Sequence, residues 1–548
     1  MNAITTGDHN SRFPSRLRGG HNEFPPPLTR SRLVPLTLTA IVAVAMTFRL
    51  GSLATYGLSD DEVTKVRATE AYSRGDFTVN AEHPMLMKIA IWGSLSVASR
   101  WNRAAPPAYQ IPVEAAVRLP NALIGAATVL VMYGVAHAYF GTPVALIAAL
   151  LLALDPVATS INRLAKEDTF VVFFFLLAVW LYERAKQVGV RNTVQAQPWY
   201  LGSAAAFGLT VASKYLPHFY GLYTLVNVST LRDAGPNSPN KRRFFATLVA
   251  AFAVANFAIF FPATWRNMLS YVQGGGLSHH GWPYAGQLWV TDVPISALGI
   301  PPSFYVVLLL TRVPLVTLIG AAIGGAIAWT RRRERGYVFL RVYFFFQLVG
   351  FSVMAAKFLR YSLPILVIVD LMAAVGIVAA AEWLSTRMKS NLRPVLMPIA
   401  YATLAVVLFA GQLHASPFFS MHRTTLARWL DADGRRFPES SYDFGVREAV
   451  SRIAVSARPG AAIVSDVPQV VEFYLSRGPR TDLQVKSLSA GGVFSNTTEQ
   501  WVLVQESHRY FETEELIALL RLRHVPVAEF RMDNLTVLQL FGIAPGHL

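Results

Sequence analysis

The sequence predicts a polytopic α-helical integral membrane protein with about eleven transmembrane helices and a small C-terminal α/β domain outside the membrane. Apolar runs near the roughly 20 residues that a helix needs to cross a hydrocarbon core recur between residues 33 and 415. Lys and Arg gather in alternate connections between them. Past residue 415 the chain turns polar, and helical and strand patterns alternate.

The runs cover 33–50, 115–140, 144–161, 169–183, 199–216, 219–231, 244–265, 303–329, 337–356, 361–383 and 395–413. Two of them, 169–183 and 219–231, are short and span only if flanking residues join the helix. Orientation follows from basic residues, which resist translocation. Arg12, Arg16, Arg18, Arg30 and Arg32 precede the first run. Alternate connections then carry Arg184, Lys186 and Arg191; Arg232, Lys241, Arg242 and Arg243; Arg331, Arg332, Arg333 and Arg335; and Arg387, Lys389 and Arg393. This places the N-terminus in the cytoplasm and the C-terminal domain outside. The net charge of +16 is absorbed by that bias, which removes the reason to invoke nucleic acid. With no cysteine there is no disulfide framework, thiolate metal site or cysteine nucleophile. Ala43-Val44-Ala45 faintly resembles a signal-peptidase site, but Arg49 and the further spans favour a retained anchor.

Residues 1–32, rich in Pro, Arg, Ser and Gly, read as a disordered cytoplasmic tail. Residues 33–415 form the bundle and 416–548 the outer domain. In the latter, 442–457 has helical spacing, Pro459-Gly460 breaks it, and 461–464, 501–505, 525–530 and 535–541 are strand candidates, with a helix at 513–523. No catalytic constellation stands out there, so a scaffold or acceptor-docking role is expected.

Two outward loops, 51–114 and 266–302, exceed what a connection requires, and long loops in compact bundles are usually functional. The first carries Ser59-Asp60-Asp61-Glu62, then Glu82-His83-Pro84 and an apolar stretch, 85–98, whose Lys88 suggests an interfacial helix. Adjacent carboxylates repel, which raises a pKa and suits a general base. The same residues also make an ordinary helix start, or oxygen ligands for a divalent cation. A charge-dense segment, Asn162-Arg163-Leu164-Ala165-Lys166-Glu167-Asp168, is wedged between two spans. Lys214 lies near the outer end of the fifth run, where a cation costs less than the roughly 2.5–3.5 kcal/mol charged at the membrane centre; snorkelling explains it as well. Arg118, Arg163, Lys214, Lys357 and Arg360 at one depth would suit a lipid phosphate. In the second loop, Gly274-Gly275-Gly276-Leu277-Ser278-His279-His280-Gly281-Trp282-Pro283-Tyr284 combines flexibility, two imidazoles and aromatic faces, with Trp282 and Tyr284 equally explicable as interfacial aromatics.

Several of these motifs together resemble the polytopic GT-C glycosyltransferases, in particular the protein O-mannosyltransferase and aminoarabinose-transferase group. Asp61-Glu62 resembles that family's Asp-Glu pair, and Glu82-His83-Pro84-Met85-Leu86-Met87-Lys88 its His-Pro-Pro-Leu-x-Lys segment, with Met85 replacing a proline. Arg118-Leu119-Pro120 with Gly125, Arg163 through Asp168, 208–214 ending in Lys214, and Lys357-Phe358-Leu359-Arg360-Tyr361-Ser362-Leu363-Pro364 follow in the family's order. No β-trefoil-like insert appears between the seventh and eighth runs, as eukaryotic members would have, so the resemblance implies a bacterial member in an inner membrane.

The resemblance implies transfer of one sugar, with inversion, from a polyprenyl-phosphate carrier to a hydroxyl of a protein, lipid or glycan. It implies Asp61 as base, with Glu62 assisting and Asp60 in reserve. Lys214, Arg163 and Arg360 are expected at the phosphate, with Lys88 and Arg118 as weaker candidates. Glu82, His83, Asp168, His279, His280, Lys357 and Tyr361 complete the expected binding set, and the 274–284 loop is expected to act as a sugar-contacting lid. No cofactor is required, although a divalent cation is compatible. A transporter or lipid flippase is the competing class, distinguished by midplane charges on broken helices.

Overall fold

The computed structural model describes residues 33–229, 239–273, 281–290, 299–355, 357–431, 442–490 and 497–546. The expected N-terminal tail lies outside them. Each of the eleven apolar runs coincides with helix, interrupted in places. The bundle and its outer loops run α1 (Leu33–Leu50), α2 (Asp60–Ser73), α3 (Leu86–Ala104), α4 (Val113–Phe140), α5 (Thr142–Ala153), α6 (Pro156–Asn162), α7 (Glu167–Gly189), α8 (Thr193–Ser213), α9 (His218–Ser229), α10 (Lys241–Ala255) and α11 (Pro262–Gln273). A short hairpin, β1 (Trp282–Tyr284) and β2 (Gln287–Trp289), precedes α12 (Phe304–Arg312), α13 (Leu315–Thr330), α14 (Arg335–Val353), α15 (Leu363–Arg387) and α16 (Arg393–Ala415).

Among the described residues, five helical stretches are long and apolar enough to cross a membrane: Leu33–Leu50, Pro107–Phe140, Arg335–Val353, Leu359–Arg387 and Arg393–Ala415. The pair α5 and α6 makes a sixth if its 64° bend counts as one broken span. Three of the other runs are limited for identifiable reasons. Val313-Pro314 divides 303–329, since proline removes a helix donor. The twelve residues of α9 rise about 18 Å at 1.5 Å each, against a hydrocarbon core of about 30 Å. Helix α7 is long enough but includes Glu167, Asp168, Glu183, Arg184 and Lys186.

Two glycines set the closest helix approach. A Cβ at Gly324 would overlap the Met372 carbonyl oxygen, and one at Gly376 the Gly320 carbonyl oxygen, so α13 and α15 meet backbone to backbone. This fixes α15, which begins just after Arg360 and Tyr361.

The C-terminal domain runs α17 (Thr425–Leu430), α18 (Val446–Ser456), β3 (Ala462–Ser465), α19 (Pro468–Leu475), β4 (Gln484–Ser487), β5 (Gln500–Gln505), α20 (Phe511–Arg523), β6 (Ala528–Met532) and β7 (Leu535–Ile543). Its sheet order is β4-β3-β5-β7-β6, parallel from β4 to β5 and antiparallel from β5 to β6. The central strands β3 and β5 are buried along their whole length, as expected where helices cover a parallel sheet.

This domain shares a core with the long loop after α1. Tyr56, Leu58 and Val63 pack in one apolar cluster with Phe444, Val446, Val470 and Leu538, and the Tyr56 and Phe444 rings lie 4.0 Å apart by centroid. Arg447 donates to the Ala54 and Thr55 carbonyls at 3.0 Å each, and the Leu58 amide donates to the Tyr474 hydroxyl at 2.7 Å. Helix α2 is therefore gripped between the bundle and the C-terminal domain.

Candidate active site

The carboxylates at 60–62 share one helix start but not one role. Ser59 and Glu62 form a capping box, with Asp60 and Asp61 in the first turn, where negative charge favours the helix dipole. Glu62 is fully buried and held by Arg118 through two bonds, 2.8 Å from Nε to Oε1 and 2.7 Å from a terminal nitrogen to Oε2. It also accepts from the Ser59 and Ala165 amides. Burial alone would raise its pKa, but the Arg118 charge and these bonds hold it below the usual carboxylate range. Glu62 is thus a clamp within the fold. Replacing it with Ala strands a buried guanidinium, so we expect a loss of about 3–5 kcal/mol of stability, read as a lowered thermal unfolding midpoint in detergent. Because the folded-state pKa is depressed, the pair's contribution is complete above the ordinary glutamate value of about 4.3. It is lost as pH falls through the folded value.

Three expected phosphate ligands are likewise engaged. Arg118 gives its remaining hydrogens to the Leu53, Tyr56 and Gly57 carbonyls at 2.6–2.9 Å, so all five guanidinium donors are used. Arg163 donates to the carbonyls of Phe48, Gly51 and Ser52 at the end of α1. A cation there complements the partial negative charge of a helix C-terminus. Lys357 does the same for α14, bonding the Ser352 and Met354 carbonyls. These three residues fix the backbone that carries the site.

The remaining charges converge. Arg360 lies between two acids, with a terminal nitrogen 3.8 Å from Asp61 Oδ2 and Nε 3.9 Å from Asp168 Oδ2. Lys214 Nζ pairs with Asp168 Oδ1 at 3.0 Å and sits 4.3 Å from the Tyr361 ring centroid. Lys166 pairs directly with Asp61 Oδ2. The Asp61 side chain keeps 38% of its surface exposed, against 6% for Asp168, so Asp61 is the more accessible acid. Next to them Lys65 Nζ bridges Glu167 Oε1 at 2.7 Å and Asn80 Oδ1 at 2.8 Å.

Expected loop residues border this cluster. His83 Nδ1 lies 3.4 Å from Glu167 Oε1. Burial first, then Lys65, Lys88 and Lys214, push the imidazole down to about 3 despite Glu167, leaving it neutral at pH 7. Glu82 accepts from the Asn80 side chain, and Lys88 donates to the Asn80 and His83 carbonyls. Asn80 itself adopts φ +57°, a left-handed conformation that asparagine tolerates better than most residues. His279 and His280 lie outside the described residues. Trp282 and Tyr284 belong to the hairpin, with Trp282 edge-on to Phe358 at 4.7 Å.

Sequence reasoning omitted Lys65, Lys166 and Glu167 from the site. Lys166 and Glu167 fall within the charge-dense segment singled out above, and Lys65 lies one helical turn after Asp61, so each had a signal. It also overlooked Arg49, Asp155 and Asp370, which are buried in the bundle next to the α5–α6 break. Arg49 donates to the Leu152 and Ala153 carbonyls and to Asn162 Oδ1, and Asp155 caps α6 through the Val157 and Ala158 amides.

Among the described residues, no three His, Asp or Glu side chains converge as metal ligands. Asp61 and Asp168 already face Lys166, Lys214 and Arg360, a poor surrounding for a divalent cation.

Residues 111–265 match the sequence profile of the family "Dolichyl-phosphate-mannose-protein mannosyltransferase". YkcB of Bacillus subtilis (strain 168), described only provisionally as a mannosyltransferase, is 33% identical over 116 residues, 21% of this chain and 16% of YkcB. YycA of the same organism, described in the same way, is 33% identical over 110 residues, 20% of this chain and 15% of YycA. The chain thus matches about one sixth of the length of these curated relatives. Among solved structures, ArnT of Cupriavidus metallidurans bound to undecaprenyl phosphate superposes with a TM-score of 0.51 at 15% identity, covering 94% of this chain and 98% of that one. The Archaeoglobus fulgidus oligosaccharyltransferase in its apo form gives 0.51 at 11%, covering 87% and 70%.

Proposed function

We propose that this chain, a multi-pass membrane protein with the fold shared by GT-C glycosyltransferases, transfers one sugar from a polyprenyl-phosphate donor to an acceptor hydroxyl. The positive-inside pattern supports an outer-face reaction. One observation carries the reading: Arg360 stands between an accessible carboxylate, Asp61, and a buried one, Asp168, with Lys166 and Lys214 alongside.

In the proposed step the acceptor oxygen attacks the anomeric carbon while its proton passes to Asp61. The bond from that carbon to the phosphate oxygen breaks, and its electron pair leaves with the polyprenyl phosphate. The displacement inverts the carbon. Lys214 and Arg360 meet the charge growing on the leaving phosphate, where fixed cations act most strongly. Before the donor arrives Asp168 serves as their counter-ion, keeping both aimed at one place. Neutral His83 and the Gly281–Tyr284 segment border the sugar.

The α5–α6 break and the buried Arg49, Asp155 and Asp370 favour a second reading, transport, since transporters use such features. Arg49 and Asp155 are bound to helix ends, however, which gives them a structural use. The divalent-cation option is tested by chelation: we expect EDTA to leave transfer within about twofold, and loss restored by added Mg²⁺ or Mn²⁺ would overturn this. The assay for the reading itself is transfer of labelled sugar from a panel of polyprenyl-phosphate donors.

A further inference from the structure

The outer domain reaches the first turn of α2 through one buried carboxylate. Asp443, 1% exposed, accepts the Asp60 amide at 2.7 Å on Oδ2 and Gln505 Nε2 at 2.8 Å on Oδ1. His508 Nδ1 lies 3.1 Å from the same Oδ1. Asp60 in turn accepts the Asp61 amide on its side chain. A continuous path thus joins His508 to Asp443, to the Asp60 backbone, and to the backbone of the residue read above as the base. The segment after β5 that holds His508 also meets the hairpin loop, since a Cβ on Gly281 would approach the Arg509 carbonyl oxygen at 3.2 Å.

We infer that Asp443, oriented by His508 and Gln505, is a positioning residue for the transfer reaction: it fixes the N-terminal turn of α2 and thereby sets Asp61 against Lys166 and Arg360. This rests on the proposed transferase reading. It gives the outer domain a part in the active site beyond a scaffold, and two physical points support it. Asp443 occupies the helix N-terminus, where an acceptor satisfies an amide that has no partner within the helix. Displacing a catalytic group by about 1 Å is enough to cost on the order of 10²-fold in rate.

Electrostatics adds a readout that a purely mechanical contact would lack. Asp60 is raised above the usual aspartate range, first by burial and then by Asp443, while His508, Lys166 and Arg360 act in the opposite sense. Asp443→Asn keeps an acceptor for the amide but removes the charge. The pKa of Asp60 should then fall, and any acid limb of the rate profile that it controls should move to lower pH.

The test uses the full-length protein in detergent or membranes, with Asp443→Ala, Asp443→Asn, His508→Gln and, as a control on domain docking, Arg477→Ala, which removes an exposed pair with Glu70. Two quantities are read: backbone amide exchange across residues 58–66, and the kcat and KM of transfer. Asp443→Ala is expected to speed exchange there at least tenfold and to lower kcat about 10²-fold with donor KM nearly unchanged. Asp443→Asn should restore most of kcat, His508→Gln should fall between, and Arg477→Ala should change neither quantity. Exchange at 58–66 unaltered by Asp443→Ala overturns the inference whether or not transfer is observed. An equal response to Arg477→Ala also overturns it, by reducing Asp443 to general docking. Altered exchange without transfer from any donor by the wild type leaves the positioning contact standing and removes the transferase reading.

Discussion

Asp61→Asn is expected to lower sugar transfer by about 10²–10⁴-fold, the range over which a positioned general base contributes. The substitution preserves shape and leaves the capping box of Ser59 and Glu62 in place, so the loss should appear in kcat without a fall in protein yield. Single-turnover transfer by purified protein is the check. Asp60→Asn provides the comparison: Asp60 faces Asp443 and His508 from a more enclosed position, and its variant should lose less. A larger loss at Asp60 than at Asp61 would exchange their roles.

Removing the cations should have the second largest effect. Lys214→Ala and Arg360→Ala are each expected to cost about 10²–10³-fold in kcat, as when one donor to a developing oxyanion is deleted. Arg360→Lys should recover only part of this, because a single ammonium cannot face Asp61 and Asp168 together as the guanidinium does. By contrast Arg118→Ala and Arg163→Ala should act through protein stability, since those side chains bind backbone carbonyls. Kinetics of each variant, paired with its unfolding midpoint, separates the two classes. An Arg163→Ala protein that is stable yet catalytically dead would return Arg163 to the phosphate.

Much of the fold was legible because a bilayer imposes it: apolar runs near 20 residues become helices. The breaks were harder to see. Residues 244–265 read as one run, yet α10 ends at Ala255 and α11 starts at Pro262 after a tighter 3-10 turn. In the outer domain the strands at 461–464 and 535–541 were found within two residues, while α19 and β4 were missed. Helix α19 spans only Pro468–Leu475, too short for its periodicity to show, and β4 lies at a sheet edge with half-exposed Lys486 and Ser487.

For the candidate site, sequence located charge but not its partners. Lys214, Asp168, Arg360 and Asp61 do converge, yet Arg118, Arg163 and Lys357 look the same in one dimension; Arg163 and Lys357 hold helix ends and Arg118 holds the connection between α1 and α2. Long-range partners left no local trace at all. Asp443 stands 383 positions from Asp60, and nothing in the surrounding sequence marks it.

The most direct measurement is a transfer assay with a panel of labelled polyprenyl-phosphate sugars in vesicles containing the purified protein, followed for both released carrier phosphate and label on the acceptor. The proposed function predicts that one donor yields both products in equal amounts with the wild type. Movement of a donor lipid or an ion across the vesicle membrane, without sugar transfer from any donor, would contradict it and establish the transport reading.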